Sequence, residues 1–361
     1  MALLGPPNHP DAAYLELVAK MEALEGIKLS EVVPKELYEP RLARSLLGFF
    51  TSYLLYGLGV ASVAVAPHWS LYIPLWIAAG LGGWGLHCIA HDCGHGAFSK
   101  SKRLNTLVGH LALLPMAYPF HAWRNVHNMH HSATNNLEMD TDWRPVDMET
   151  FKRLPLLSKL NYLSNRTVLF WFGTGAYWLV SGIRPDFFPQ SRARDEVRRS
   201  MVFVALFLIP YLAALGYFTG FGGILKYFVG PWFGIHVWFS ITTLMHHTAE
   251  DLPFLVKENW RRTGSRILLT IDYRYPQWLH FLTHNISVHA AHHVAPKVPC
   301  YNLQRTTEVL KQAYPGLIRE RKFTFGGLFR IVAHCHFYDA ETGYYKSLLG
   351  LFNSPVVPHA E

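Results

Sequence analysis

Apolar positions along the chain collect into four runs, at 46–66, 71–90, 201–220 and 224–245, between segments where charged residues return. Each run is about 20 residues, the length a helix needs to cross the hydrocarbon core of a bilayer, so the pattern predicts four membrane-spanning helices. Only 67–70 and 221–223 separate the members of each pair, which predicts two helical hairpins. Lysine and arginine are absent from both hairpin tips. They gather at Arg41, Arg44, 100–103, Lys152, Arg153, 192–199 and 257–266. Short cytoplasmic segments retain basic residues, so both termini and the long central segment are expected on the cytoplasmic side. Lys226, near the outer end of the fourth run, has a stem long enough to reach the headgroups. Two further apolar stretches, 104–120 and 167–180, are shorter; Pro115 and Pro119 break the first, and aromatic residues enrich the second. Both are expected to be interfacial or re-entrant. The expectation is an all-α integral membrane fold. A region 1–45 precedes a membrane domain at 46–350, whose cytoplasmic helical cap comprises 91–200 and 246–350, and a tail follows at 351–361.

Composition agrees with this pattern. Of 361 residues, 50% are hydrophobic and only 16% charged, an unusual balance for a soluble globular chain. The net charge of +8 does not point to nucleic acid, because the basic residues flank apolar runs instead of forming one polar stripe. Cys88, Cys93, Cys300 and Cys335 have no CxxC spacing, so neither a disulfide framework nor a zinc finger is expected. The first residues are too short an apolar stretch for a secretory signal.

The 21 histidines are the compositional outlier. Three clusters stand out: His91 and His95 in HDCGH, His127, His130 and His131 in HNMHH, and His289, His292 and His293 in HAAHH. On a helix, the i, i+3 and i+4 spacings put the imidazoles of each cluster on one face. All three clusters fall on the predicted cytoplasmic side, where they can converge. Eight imidazoles exceed the three or four ligands of a zinc site and divide naturally between two metals. Imidazole suits iron, zinc, copper and nickel alike, so the ligand type leaves the metal open. A single-zinc HExxH site is a poor match, with Asp92 where its glutamate base would stand.

Other candidates are weaker. His246 and His247 close the fourth run at the same interface; His247 is the candidate ninth ligand, with His246 a supporting or weak contact. Asn285 precedes His289 by four residues and is a candidate weak or water-bridged contact. Asp92, Asp140 and Asp142 are placed to accept the second N–H of ligating imidazoles, although plain solvated acids fit equally well. His68, His87, His110 and His236 read as isolated structural hydrogen bonders. His284, five residues before His289, is a candidate for the same weak contact as Asn285; His121, His334 and His336 are unassigned.

At these histidines the chain resembles the membrane fatty acid desaturases, whose three boxes read H-x3-4-H, H-x2-3-H-H and H-x2-3-H-H. The stretches HDCGHGAFS, FHAWRNVHNMHH with residues 140–145, MHHTAEDLPF, YPQWLHFLTHNISVHAAHH and HCHFYDAETGY are most similar to the bacterial and cyanobacterial acyl-lipid delta-12 group. Asn128 and Met129 depart from that group's second box without removing its three histidines. The resemblance implies four spans, two iron ions, O₂ as co-substrate, a membrane lipid acyl chain as substrate, and electrons from ferredoxin or a similar carrier. No nicotinamide or flavin fingerprint is present in the sequence.

An unactivated methylene has no acidic proton and no leaving group, so a metal-oxygen oxidant must supply the reactivity. The acyl chain requires an apolar tunnel; Trp84, Trp123, Trp232, Trp238 and Trp278 are candidate lining residues, against interface anchoring. Box spacing also admits a fatty acid hydroxylase or a terminal-alkene-forming decarboxylase. A metal-binding membrane transporter would need histidines along a path across the bilayer, whereas these lie at one face.

Overall fold

The computed structural model describes residues 5–351; the tail expected at 351–361 lies, beyond its first residue, outside the described residues. Three helical stretches are long and apolar enough to cross a membrane: Leu42–Ala64, Trp69–His95 and Ser191–His247. The first is helix α2 (Leu42–Ala64), which follows a short amphipathic α1 (Ala12–Ala23). The second contains α3 (Tyr72–His95).

The third stretch is not straight. It comprises α9 (Ser191–Ile224), a wider π turn at Leu225–Val229, and α10 (Gly230–His247), and helical geometry breaks at Gly220, where φ is 69°. Tyr211 and Phe228 lie 17 positions apart, which a continuous helix would separate by about 25 Å. Their rings are 6.1 Å apart, so the chain doubles back. Only glycine adopts that left-handed conformation without steric cost. The turn expected at 221–223 is therefore concentrated at Gly220, and helix resumes at once.

The sequence places the ends of α3 and α10 too early. Both helices continue past the apolar runs, so that His91 and His95 ride on the final turns of α3, and His246 and His247 on the final turn of α10. The two helices cross at bare backbone. A Cβ on Gly80 would sit 2.2 Å from the Gly234 carbonyl carbon, and one on Gly234 would sit 2.0 Å from the Trp76 carbonyl oxygen. Small residues allow this approach and the dispersion contacts that come with it.

The stretch expected to be interfacial at 104–120 becomes α4 (Lys102–Leu113), a single tight turn, and the start of α5 (Phe120–Ser132). At 12 residues, α4 is about 18 Å long and falls short of the ~30 Å hydrocarbon core. Short helices α6 (Met148–Arg153), α7 (Leu156–Arg166) and α8 (Gly173–Ser181) follow. After α10 come α11 (Arg262–Leu268), strand β1 (Ile271–Arg274), α12 (Gln277–Leu282), α13 (His289–Val294) and α14 (Leu303–Ala313). Strand β2 (Arg319–Lys322), α15 (Phe325–His334), β3 (Phe337–Tyr338) and β4 (Tyr345–Lys346) complete the order.

Two short strand pairs sit within the helical framework. β1 and β2 pair in parallel, with Ile271 opposite Arg319, and β3 pairs with β4 antiparallel. Four-residue strands give too short a period-two signal to compete with the helical pattern around them. The N-terminal region also packs into the body of the fold. Tyr14, Leu17 and Met21 are buried in one apolar cluster with Leu244, Ile267, Val294 and Leu310. A second cluster joins Trp84, Leu86 and Ile89 of α3 to Phe120, Trp123, Val197 and Ile235.

Because the α3–α10 crossing has no room for a side chain, Gly234→Val should cost about 3 kcal/mol or more by overpacking. Thermal unfolding of purified protein in detergent is expected to show a clear downward shift, whereas the same change at Gly57, which has open space around it, should shift little.

Candidate metal centre

Four helices deliver their histidines to one place: the last turns of α3, the second half of α5, the last turn of α10 and the whole of α13. The imidazoles divide into two sets. His91, His95, His127, His131 and His292 each offer a nitrogen within 4.8 Å of all the others, and His130, His247, His289 and His293 form a second such set. His131 and His292 neighbour His293, so the sets adjoin.

The spacing fits ligation. Nε2 of His131 is 3.0 Å from Nε2 of both His127 and His292; Nε2 of His289 is 2.8 Å from that of His247 and 3.1 Å from that of His293. Ligands at right angles around an ion about 2.1 Å away would stand about 3 Å apart. His91 Nε2 and His95 Nε2 are buried with no hydrogen-bond partner, an arrangement that costs free energy unless something accepts the lone pairs. An imidazole-binding cation satisfies both observations.

The reverse sides of the rings are anchored. His130 Nδ1 is 2.8 Å from Asp140 Oδ1, His293 Nδ1 is 3.2 Å from Thr134 Oγ1, and His247 Nδ1 is 3.3 Å from the Leu269 carbonyl oxygen. With Nδ1–H donating to these oxygens, each Nε2 presents its lone pair to the centre. Burial lowers the proton affinity of His127, His131, His289, His292 and His293 well below the usual range, helped by the neighbouring imidazoles. These rings are therefore neutral and able to ligate. Burial acts on His130 too, but the Asp140 carboxylate outweighs it and raises that ring above its ordinary value.

Asp140 is itself held by the backbone N–H of Asn135 at 2.6 Å and of Asp142 at 3.0 Å. Burial pushes the Asp142 carboxyl up to about 6, and it lines the cavity described below. Asp92 does not reach an imidazole. Its carboxylate accepts the Cys300 N–H at 2.9 Å and ties α3 to the segment after α13. The amide of Asn285 is spent on the Cys300 carbonyl and on Gln304. His246 stands outside both sets, stacked on His289 with ring centres 4.1 Å apart.

Sequence reasoning missed three supports. Asp272, on β1, accepts the His289 and Ala290 N–H groups, each at 2.7 Å, and so fixes the start of α13. Asn135 donates to the His247 carbonyl from a left-handed backbone position, and Thr134 backs His293. The run of Thr134, Asn135 and Asn136 directly after HNMHH was the available signal: three small polar residues, all fully buried, where a loop would be exposed.

A cavity of about 720 Å³ opens beside the histidines. Its walls include Trp84, Trp123, Tyr177, Val180, Phe187 and Phe239, and His91, His127, His130, His247 and His289 face it. Trp84 and Trp123, two of the tryptophans singled out in the sequence, lie in this wall. Trp238 does not: its indole N–H donates to the Ile77 carbonyl and braces α10 on α3. Trp232 is similarly tied to the Met116 carbonyl. Trp278 is 61% exposed on α12, which suits an interface anchor. Trp143, not anticipated, lines the cavity and donates to Thr243 Oγ1 at 2.8 Å.

Long apolar helices carrying a buried, histidine-rich site beside a largely apolar cavity define a class: membrane proteins built to hold metal next to a lipid-like ligand. Comparison with known proteins makes the class specific. The fatty acid desaturase family matches residues 67–323, and the chain belongs to it. It is 37% identical to the sn-1 oleoyl-lipid 12-desaturase of Picosynechococcus sp., over 79% of this chain and 81% of that protein. With the Synechocystis sp. protein of the same name the identity is 32%, over 94% of each. With the chloroplastic omega-6 fatty acid desaturase of Spinacia oleracea it is 33%, over 86% of this chain and 69% of that one. The protein is a membrane fatty acid desaturase, an oxidoreductase.

The Asp140–His130 pair makes a prediction. Asp140→Asn removes the charge that orients and strengthens His130 while keeping the shape, and losing such support typically weakens metal affinity by about tenfold to a hundredfold. Metal content measured by inductively coupled plasma mass spectrometry after mild chelation should drop in Asp140→Asn. Asp92→Asn, whose carboxylate touches no imidazole, should retain metal.

Proposed function

We propose that this chain is an O₂-dependent acyl-lipid desaturase that places a cis double bond at the 12 position of a lipid-bound oleoyl chain, using two iron ions held by the two histidine sets. The observation that carries the reading is the pairing of those sets with one apolar cavity. His91, His127, His130, His247 and His289 face the same space as Trp84, Val180, Phe187 and Phe239, so a methylene in that space lies against ligating nitrogens. The shared name of the cyanobacterial relatives supports the substrate and the position.

His91, His95, His127, His131 and His292 would hold one ion, and His130, His247, His289 and His293 the other. When bound, the irons would supply the oxidising power to remove two hydrogens from neighbouring carbons. The balance is one –CH₂–CH₂– unit, one O₂, two electrons and two protons, giving one –CH=CH– and two waters. Trp84, Trp123 and Phe239 enclose the acyl segment and exclude water. Asp140, Thr134 and the Leu269 carbonyl keep the ligand rings from turning as charge at the centre changes. Apart from His130, which is paired with Asp140, the ligands would be neutral imidazoles, so the protein adds little negative charge to the centre. That favours a strong oxidant.

The membrane arrangement we infer is four crossings, α2, α3, α9 and α10, with the cap and both termini on the cytoplasmic side. The reversal at Gly220 supports the fourth crossing, and the basic residues of 100–103, 192–199 and 257–266 support the side. Electrons would come from ferredoxin or a similar carrier.

Expression in a desaturase-deficient host, with total fatty acids read by gas chromatography and mass spectrometry, tests the reading. A dienoic acid with a new double bond at the 12 position is expected, and none from His130→Ala. Hydroxy acids or a terminal alkene in its place would overturn the reaction assigned. In a second assay, His247→Ala should lower bound iron from two ions toward one, because it depletes the four-membered set alone; unchanged iron would remove His247 from the ligands.

A further inference from the structure

Residues 257–266, KENWRRTGSR, carry four basic side chains and one acidic. Lys257 and Arg262 are exposed and, among the described residues, make no side-chain hydrogen bond or ion pair; Arg261 makes one peripheral pair with Glu22 at 3.4 Å. Some basic residues elsewhere are neutralised, as where Arg319 and Arg321 both pair with Asp251. This unneutralised segment has a special position. Helix α11 within it packs directly on α13, which carries His289, His292 and His293.

Trp260 stands in the middle of the basic run and is half-buried. Its Nε1–H donates to the Thr134 carbonyl at 2.9 Å. Thr134 is fully buried, and its Oγ1 is 3.2 Å from Nδ1 of His293. One residue and two hydrogen bonds therefore link a half-buried indole to an imidazole of the four-membered histidine set. Neither contact is needed for α11 or α13 to be helical.

We infer that the face formed by Lys257, Trp260, Arg261 and Arg262 docks an acidic one-electron carrier protein, and that the Trp260–Thr134–His293 hydrogen bonds are its electronic route to the metal centre. The inference rests on the desaturase reading, which requires two electrons from outside for each double bond. At each docking event the carrier loses one electron and the centre gains one. The Trp260–Thr134 bridge is itself neither oxidised nor reduced, and the two protons come from solvent. Charge complementarity favours a protein carrier. It speeds encounter and allows the oxidised carrier to leave.

The test uses the full-length, iron-loaded protein in detergent and an acidic plant-type ferredoxin as probe. Binding read without turnover, by microscale thermophoresis, should weaken about tenfold in Lys257→Glu/Arg262→Glu and on raising salt several-fold, as surface charge steering does. Trp260→Phe keeps a ring and loses the N–H. The ratio of ferredoxin-driven to dithionite-driven turnover is expected to fall about fivefold or more in that variant while ferredoxin binding stays put. A structural role for Trp260 would lower both turnovers together and leave the ratio unchanged, which overturns the route. Ferredoxin affinity indifferent to the charge reversal overturns the docking face. So does loss of co-purifying anionic phospholipid in its place, which would make the segment a headgroup surface. Failure of the desaturase reading looks different: dithionite would drive no double-bond formation in the unaltered protein.

Discussion

Nine imidazoles from four helices come together in two sets, and much of the surrounding structure holds rings of those sets in place. Neutral histidine is costly to bury without partners for both ring nitrogens. At His130, His293 and His247 the inner nitrogen faces the centre and the outer one donates to Asp140, Thr134 and the Leu269 carbonyl. Asp140 and Asp272 are in turn fixed by backbone N–H groups. Ligand geometry is thus transmitted outward into the backbone of the cap, and the short β1–β2 ladder, which carries Asp272, is part of the same frame.

The membrane helices contribute position. α3 and α10 run uninterrupted from the apolar region into the histidine site, so the site cannot move relative to the spans without bending a helix. Their contact through Gly80 and Gly234 sets the distance between His91 and His247 from below. Trp238 reinforces it through the Ile77 carbonyl. A rigid frame has a clear use for a reaction in which two adjacent carbons must be met in order: the oxidant has to stay fixed while the chain is held against it. The cavity meets the other half of the demand. Its wall includes five of the clustered imidazoles together with Trp84, Phe187, Val180 and Phe239.

Much of this was legible in the sequence because its signals are periodic and strong. Runs of about 20 apolar residues predict spanning helices regardless of context. The i, i+3 and i+4 histidines predict ligand faces because helical geometry alone puts them side by side. The supporting groups carry no such period. Asp140 was identified as one of three acids with equal claims, and only folding separated it from Asp92, which braces Cys300. Trp238 and Trp278 had the same standing as Trp84 and Trp123 until the crossing of α3 and α10 turned one into a brace and left the other at the surface. Thr134 and Asn135 looked like loop residues because nothing local marks a buried turn. Paired residues of β1 and β2, such as Ile271 and Arg319, are 48 positions apart in sequence, and no local pattern encodes that pairing.

Local spacing made the membrane character, the helical framework, the family and the three histidine clusters legible, because each depends on residue type at short range. Tertiary structure alone decided how those histidines split into sets of five and four, with His130 leaving its own cluster to join His247, His289 and His293. It also decided which acid and which tryptophans serve the site. The physical reason is that ligand sets are defined by angstrom-scale distances between side chains from different helices, and those distances exist only after α3, α5, α10 and α13 have packed.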